Sequence, residues 1–190
     1  AQLALRLDHV ADLGFEARHL GIGIVEARLR GVDLVAGTIV SAAQGFEQLQ
    51  ARGLIRHWGV SNFDVADMRE LMQLPGGASC ASNQVWYSLT KRGVEFDLLP
   101  WQRERRMPLM AYSPIDQGSL AKGSLEMVGK RHKASAAQIA IAFTLAREGI
   151  ISIPKAASVA HARANATAAG IALSADDLAE IDRHYPPPRR

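Results

Sequence analysis

The chain has 190 residues, 48% of them apolar and 22% charged, an ordinary globular balance that excludes a fibrous or disordered polypeptide. The 22 Lys and Arg exceed the 19 Asp and Glu by only three, for a formal charge of +3. The clusters "RERR" (103–106) and "KRHK" (130–133) lack interleaved aromatics, so they read as solvated helix faces and loop surface, and no nucleic-acid partner is expected.

The first forty residues contain no Lys, Pro, Trp or Tyr and show no sustained period. Within them "GIGIVEA" and "VDLVAG" each admit a short strand, and neither is assigned. Gly21 and Gly23 form a lone G-x-G without the third glycine of a dinucleotide loop, so a Rossmann domain is rejected. Next, "VSAAQGFEQLQARG" (40–53) reads as a helix ended by Gly53, without a clear strand before it.

From there strand-like runs alternate with helical periodicity. "HWGVSN" precedes "FDVADMRELMQ", "CASNQVWY" precedes "FDLLPWQRERR", "PLMAYSP" precedes "SAAQIAIAFTLAREG", and "IISIPKA" precedes "SVAHARANATAAG". Such strand-then-helix units in series predict an α/β fold with a parallel sheet covered on both faces. Ser135 with Gln138, and Ser174 with Asp177, read as capping boxes, and Pro186 to Pro188 stop the final helix.

The single Cys80 excludes an intrachain disulfide, and its apolar neighbours point to a buried thiol. No Cys or His cluster has metal-ligand spacing, so no metal site is expected. No apolar run reaches the ~20 residues that span a bilayer. Arg6 and Asp8 interrupt what would have to be a signal core, so the expectation is a cytoplasmic protein without membrane attachment.

The pieces "GLIRHWGVSNFD", "NQVWYSL", "LLPWQRERRMPLMAYSPI", "SAAQIAIAF" and "IPKA" resemble the aldo-keto reductase family, in order and spacing, and in particular its bacterial branch acting on methylglyoxal and other 2-oxoaldehydes. The resemblance covers roughly residues 44–188, the second half of a full-length member. It leaves 1–43 unassigned and makes 44–190 the carboxyl-terminal half of the barrel. The fold it implies is a partial (β/α)8 TIM barrel, the last four β/α units plus a carboxyl-terminal helix. A complete barrel takes roughly 250 residues.

The resemblance also implies a cofactor, NADPH in preference to NADH, held at the carboxyl ends of the strands. Ser61 and Asn62 would bond the nicotinamide carboxamide, Gln84 would take its remaining donor, and Tyr112 would stack on the ring. Ser113 would start the loop around the pyrophosphate, Lys155 would meet the 2′-phosphate, and Asn165 would contact adenine. His161 stands where many members carry arginine, and Ala164 where a carboxylate is common. Histidine holds a dianionic phosphate less firmly than arginine, which weakens the expected preference for NADPH; Arg163 is a candidate to compensate.

The family's proton-donating tyrosine, with its lysine, aspartate and histidine, belongs to the barrel's first half. Here the first tyrosine is Tyr87 and the first lysine Lys91, and Asp8, His9 and Asp12 supply neither a phenol nor an ammonium. No catalytic residue is therefore assigned. The expectation is an oxidoreductase reducing small aldehydes or 2-oxoaldehydes by family, present as a truncated version. Its first forty residues read either as a frame-shift product or as a novel cap. The alternative is a non-catalytic nucleotide-binding or interaction module, or a vestigial product. Open barrel edges would favour self-association.

Overall fold

The computed structural model describes residues 22–26, 35–118, 120, 123 and 125–189. Arg6, Asp8, His9, Asp12 and Gly21, named above, lie outside the described residues. The chain divides into two compact units, with the division between Asn83 and Gln84.

In the first unit, β1 (Ile22–Glu26) pairs in parallel with β2 (His57–Ser61), from Ile22 opposite His57 to Glu26 opposite Ser61. This strand precedes the four read from the sequence, and Gly23 lies inside it rather than in a phosphate loop. The helix that follows, α1 (Val35–Ala51), starts five residues before the expected Val40 and absorbs the second half of "VDLVAG" as helix. Short apolar runs satisfy both periods, so tertiary pairing decided between them.

Gly53 ends α1 as expected. At φ 67° it lets its own N–H reach the Gln50 carbonyl (2.9 Å) and the Leu54 N–H reach that of Leu49 (3.0 Å), the paired bonds of a Schellman cap. Phe46 of α1 stacks on Trp58 of β2, centroids 5.5 Å apart and planes 11° off parallel. Past the strand, Asp64 caps α2 (Val65–Gln73). Its carboxylate accepts from the Ala66 and Asp67 amides, and Asp67 accepts from the Asp64 amide in return. Met68 and Leu71 form the buried face of α2. β3 (Cys80–Trp86) begins in this unit.

The second unit contains the end of β3, α3 (Leu98–Glu104), β4 (Leu109–Tyr112), α4 (Glu126–His132), α5 (Ala136–Leu145), β5 (Ile150–Ile153), α6 (Val159–Thr167) and α7 (Ala175–His184). β4 and β5 are parallel, Leu109 opposite Ile150 through Tyr112 opposite Ile153. α5 is apolar nearly all round and buries Ile139 through Thr144, as a helix inside a core must. Both expected capping boxes, Ser135 with Gln138 and Ser174 with Asp177, are present.

The cluster "KRHK" is not simply solvated surface. It closes α4, and Arg131 and His132 reach the buried carboxylate of Asp177 at 2.7 and 2.8 Å. Burial pushes the Asp177 carboxyl up, but the bonds from His132, Ser174 and Arg131 prevail and hold it well below the usual carboxylate range. In "RERR", Arg105 lies 4.0 Å over the Trp101 ring. Among the described residues, no helix is long and apolar enough to cross a membrane.

Candidate functional site

In the first unit, the polar residues at the end of β2 are held by the loop's own geometry. Ser61 is the last strand residue and is buried. Asn62 follows at φ 59°, a left-handed conformation that asparagine tolerates better than most side chains, and its Nδ2 donates to the Ser61 Oγ at 3.3 Å. Asn83, fully buried, donates to the Phe63 carbonyl at 2.8 Å and accepts from the Phe63 amide at 3.4 Å. It therefore fixes the loop that carries Ser61 and Asn62.

In the second unit, Gln84 is half-buried on β3, and Trp86 at the strand's end stacks on Tyr112, the last residue of β4. Ser113 comes next at φ 49° and Asp116 shares that value, so two non-glycine residues within four positions occupy the left-handed region. Such strain persists only where surrounding contacts hold it. Two such contacts are the Asp116 amide donating to the Ser113 carbonyl at 3.0 Å, and the Ser88 hydroxyl donating to Asp116 Oδ1 at 2.5 Å.

Lys155 lies two residues beyond β5 and is exposed. Ser158 caps α6 by accepting from the His161 amide at 3.2 Å. His161 and Asn165, four residues apart on α6, share one face; His161 is exposed and Asn165 half-buried. Arg163 is also exposed. Gln138 of α5 donates to the Ala164 carbonyl and to Thr167, anchoring α6.

Two groups with possible chemistry are tied up in structure. Burial and the hydrogen bond to Glu95 (2.7 Å) push the Tyr87 phenol far up, so it is a poor acid. Burial also pushes the Cys80 thiol up to about 11, which leaves almost no thiolate at neutral pH. The sequence reading missed Trp86 and the Ser88–Asp116 brace. Exposure of an aromatic at a strand end, and pairing across 28 residues, leave no local signature.

The family model described as "Aldo/keto reductase family" matches residues 27–186. The chain belongs to the aldo/keto reductase family. Among curated relatives, the methylglyoxal reductase YeaE of Escherichia coli K12 is 49% identical over 149 residues, which is 75% of this chain and 52% of the relative. A solved aldo/keto reductase from Klebsiella pneumoniae, in complex with NADP and acetate, superposes with a TM-score of 0.80 at 39% identity, covering 90% of this chain and 60% of that one. A second from the same organism, in complex with NADPH, gives 0.77 at 38% identity, covering 88% and 60%.

This aldo/keto reductase chain therefore spans about half the length of the curated relative just named. Its parallel strands and covering helices correspond to part of the family's (β/α)8 barrel.

Proposed function

We propose that this chain carries the NADPH-holding portion of a reductase for small aldehydes and 2-oxoaldehydes. The observation that carries the proposal is the placement of Ser61–Asn62, Tyr112–Ser113 and Lys155 just at or after the carboxyl ends of β2, β4 and β5, where barrel enzymes keep their ligands. The NADP and NADPH complexes of the two Klebsiella relatives support the same cofactor here.

The donor set fits that group chemically. Ser61, Asn62 and Gln84 offer hydroxyl and amide partners for a carboxamide, and Tyr112 offers a ring for stacking. Ser113, in its left-handed turn, starts a loop suited to the pyrophosphate. Lys155 supplies a mobile point charge for the 2′-phosphate, with His161 and Asn165 one helical turn apart for the adenosine end. The bound nicotinamide would supply the hydride, and the chain's part is to orient the ring.

Proton donation is the step these residues do not provide. Tyr87 is held by Glu95, the Tyr185 ring is buried, and Tyr112 is committed to stacking. His57 begins β2, at the end of the strand opposite Ser61. The chain by itself is thus expected to bind cofactor without appreciable turnover, since positioned proton transfer contributes roughly 100- to 10,000-fold. A second reading is a non-catalytic nucleotide-binding module, favoured by the structural ties on Tyr87, whose phenol is held by Glu95. Under either reading we infer a cytoplasmic protein, in which any strand edge left unpaired would favour self-association.

Titration with NADPH and NADH, followed by phenylglyoxal reduction, tests these points. Lys155→Ala should weaken NADPH by roughly tenfold, about 1.4 kcal/mol, and leave NADH nearly unchanged. Equal losses for both cofactors would remove Lys155 from the site. Turnover within tenfold of an intact relative would refute the missing donor.

A further inference from the structure

Trp86 is out of place for a residue whose only task is to fill the core. It keeps 38% of its surface exposed, whereas Trp58 and Trp101 keep 1% and 7%. A large ring left in water forgoes much of its hydrophobic stabilisation, so its contacts show what it is for. The indole stacks on the Tyr112 ring with centroids 6.1 Å apart and planes 29° off parallel. The Lys91 ammonium lies 5.2 Å from the indole centroid.

The Lys91 backbone, from which that side chain extends, is fixed. Its amide donates to the Ser88 carbonyl and to the Ser88 hydroxyl, both at 3.2 Å, and its carbonyl accepts from the Ser88 amide at 3.3 Å. Ser88 in turn donates to Asp116, in the turn that follows Tyr112. The strand end at Trp86 and the strand end at Tyr112 are thus joined twice, through ring stacking and through this hydrogen bond.

We propose that Trp86 is a positioning residue for Tyr112, held in turn by Lys91, and that it sets the plane of the phenol ring against which the flat heteroaromatic ring of the cofactor stacks. The cofactor half of this statement rests on the proposed function above. The physical gain is preorganisation: a phenol ring already held by a second ring has less rotational freedom to lose when a ligand arrives. An aliphatic side chain at position 86 would neither orient the Tyr112 ring nor cover its face as a stacked ring does.

The test is nitration of tyrosine by tetranitromethane, mapped by peptide mass spectrometry, on the full chain with and without NADPH. Tyr87 and Tyr185 are 0% and 7% exposed, so Tyr112 is the reporter. The buried Cys80, its thiol pushed up to about 11, does not compete. Trp86→Leu should raise the rate at Tyr112 about threefold or more, while Trp86→Phe stays within about twofold of the natural chain, because stacking is worth what a two- to tenfold change reads. Dissociation of NADPH should follow the same order, weaker for Leu and restored by Phe.

Equal nitration of the natural chain, Trp86→Leu and Trp86→Phe would overturn the positioning role. If Trp86→Leu does not fold, Lys91→Met keeps the indole and should raise the Tyr112 rate; an unchanged rate would overturn the role equally. Failure of NADPH to protect Tyr112 in the natural chain would overturn the cofactor assignment instead, because the rates without cofactor report on Trp86 alone.

Discussion

Replacement of Arg92 by alanine should destabilise the second unit by about 3 kcal/mol. The guanidinium is 6% exposed and bonds Glu95 twice, at 3.0 and 2.9 Å, Asp182 at 2.7 Å and the Tyr185 carbonyl at 2.6 Å, with its carbon 5.0 Å over the Phe143 ring. Removing one partner of a buried ion pair costs about 3–5 kcal/mol, because the other charge is left without compensation. Two features place this case at the lower end. The Asp182 side chain is 41% exposed and regains water, and Arg147 stands 3.8 Å from Glu95 as a substitute cation. Glu95, at 17% exposed, carries most of the loss. Urea unfolding followed by far-UV circular dichroism reads the effect directly. With a slope of about 2 kcal/mol per molar, the midpoint should fall by about 1.5 M. Arg92→Lys should lose somewhat less, since an ammonium keeps the charge beside Glu95 although it cannot reproduce the fork. A loss below about 1 kcal/mol at unchanged slope would refute the view that this network ties the Lys91–Glu95 loop to the end of α7.

Two further outcomes follow from local contacts. Asp177 has a folded-state pKa depressed below its unfolded value of about 3.9, so its contribution is fully present above that value and is lost as pH falls through the folded one. Asp177→Asn should therefore be less stable than the natural chain by about 2 kcal/mol at pH 7, with the gap narrowing at about pH 3; equal gaps at both pH values, from urea midpoints, would contradict the assignment. Gly59→Ala would place a Cβ 2.6 Å from the Ser82 carbonyl oxygen and 2.7 Å from its hydroxyl. It should cost about 1–3 kcal/mol, checked by thermal unfolding, and a neutral result would mean that β2 and the start of β3 separate without strain.

Features determined by residues close in the chain were legible in the sequence. Ser135 and Ser174 mark helix starts because a cap bonds amides only two or three residues away. Gly53 marks a helix end because its left-handed φ is a local requirement. The four strand-then-helix units from His57 onward, the family, and the candidate residues at Ser61–Asn62, Tyr112 and Lys155 came from motifs of the same short range, whereas the strand Ile22–Glu26 and the helix Glu126–His132 were not read. Tertiary structure alone decided what depends on distant partners. Ile22–Glu26 became a strand by pairing with His57–Ser61, because a short apolar run satisfies helix and strand periods alike. Arg131, still exposed, and half-buried His132 reach Asp177, some 45 residues away, because a buried carboxylate demands compensating donors. Trp86 met Tyr112 because β3 and β4 bring their ends together, a juxtaposition set by strand packing and by no spacing in the chain.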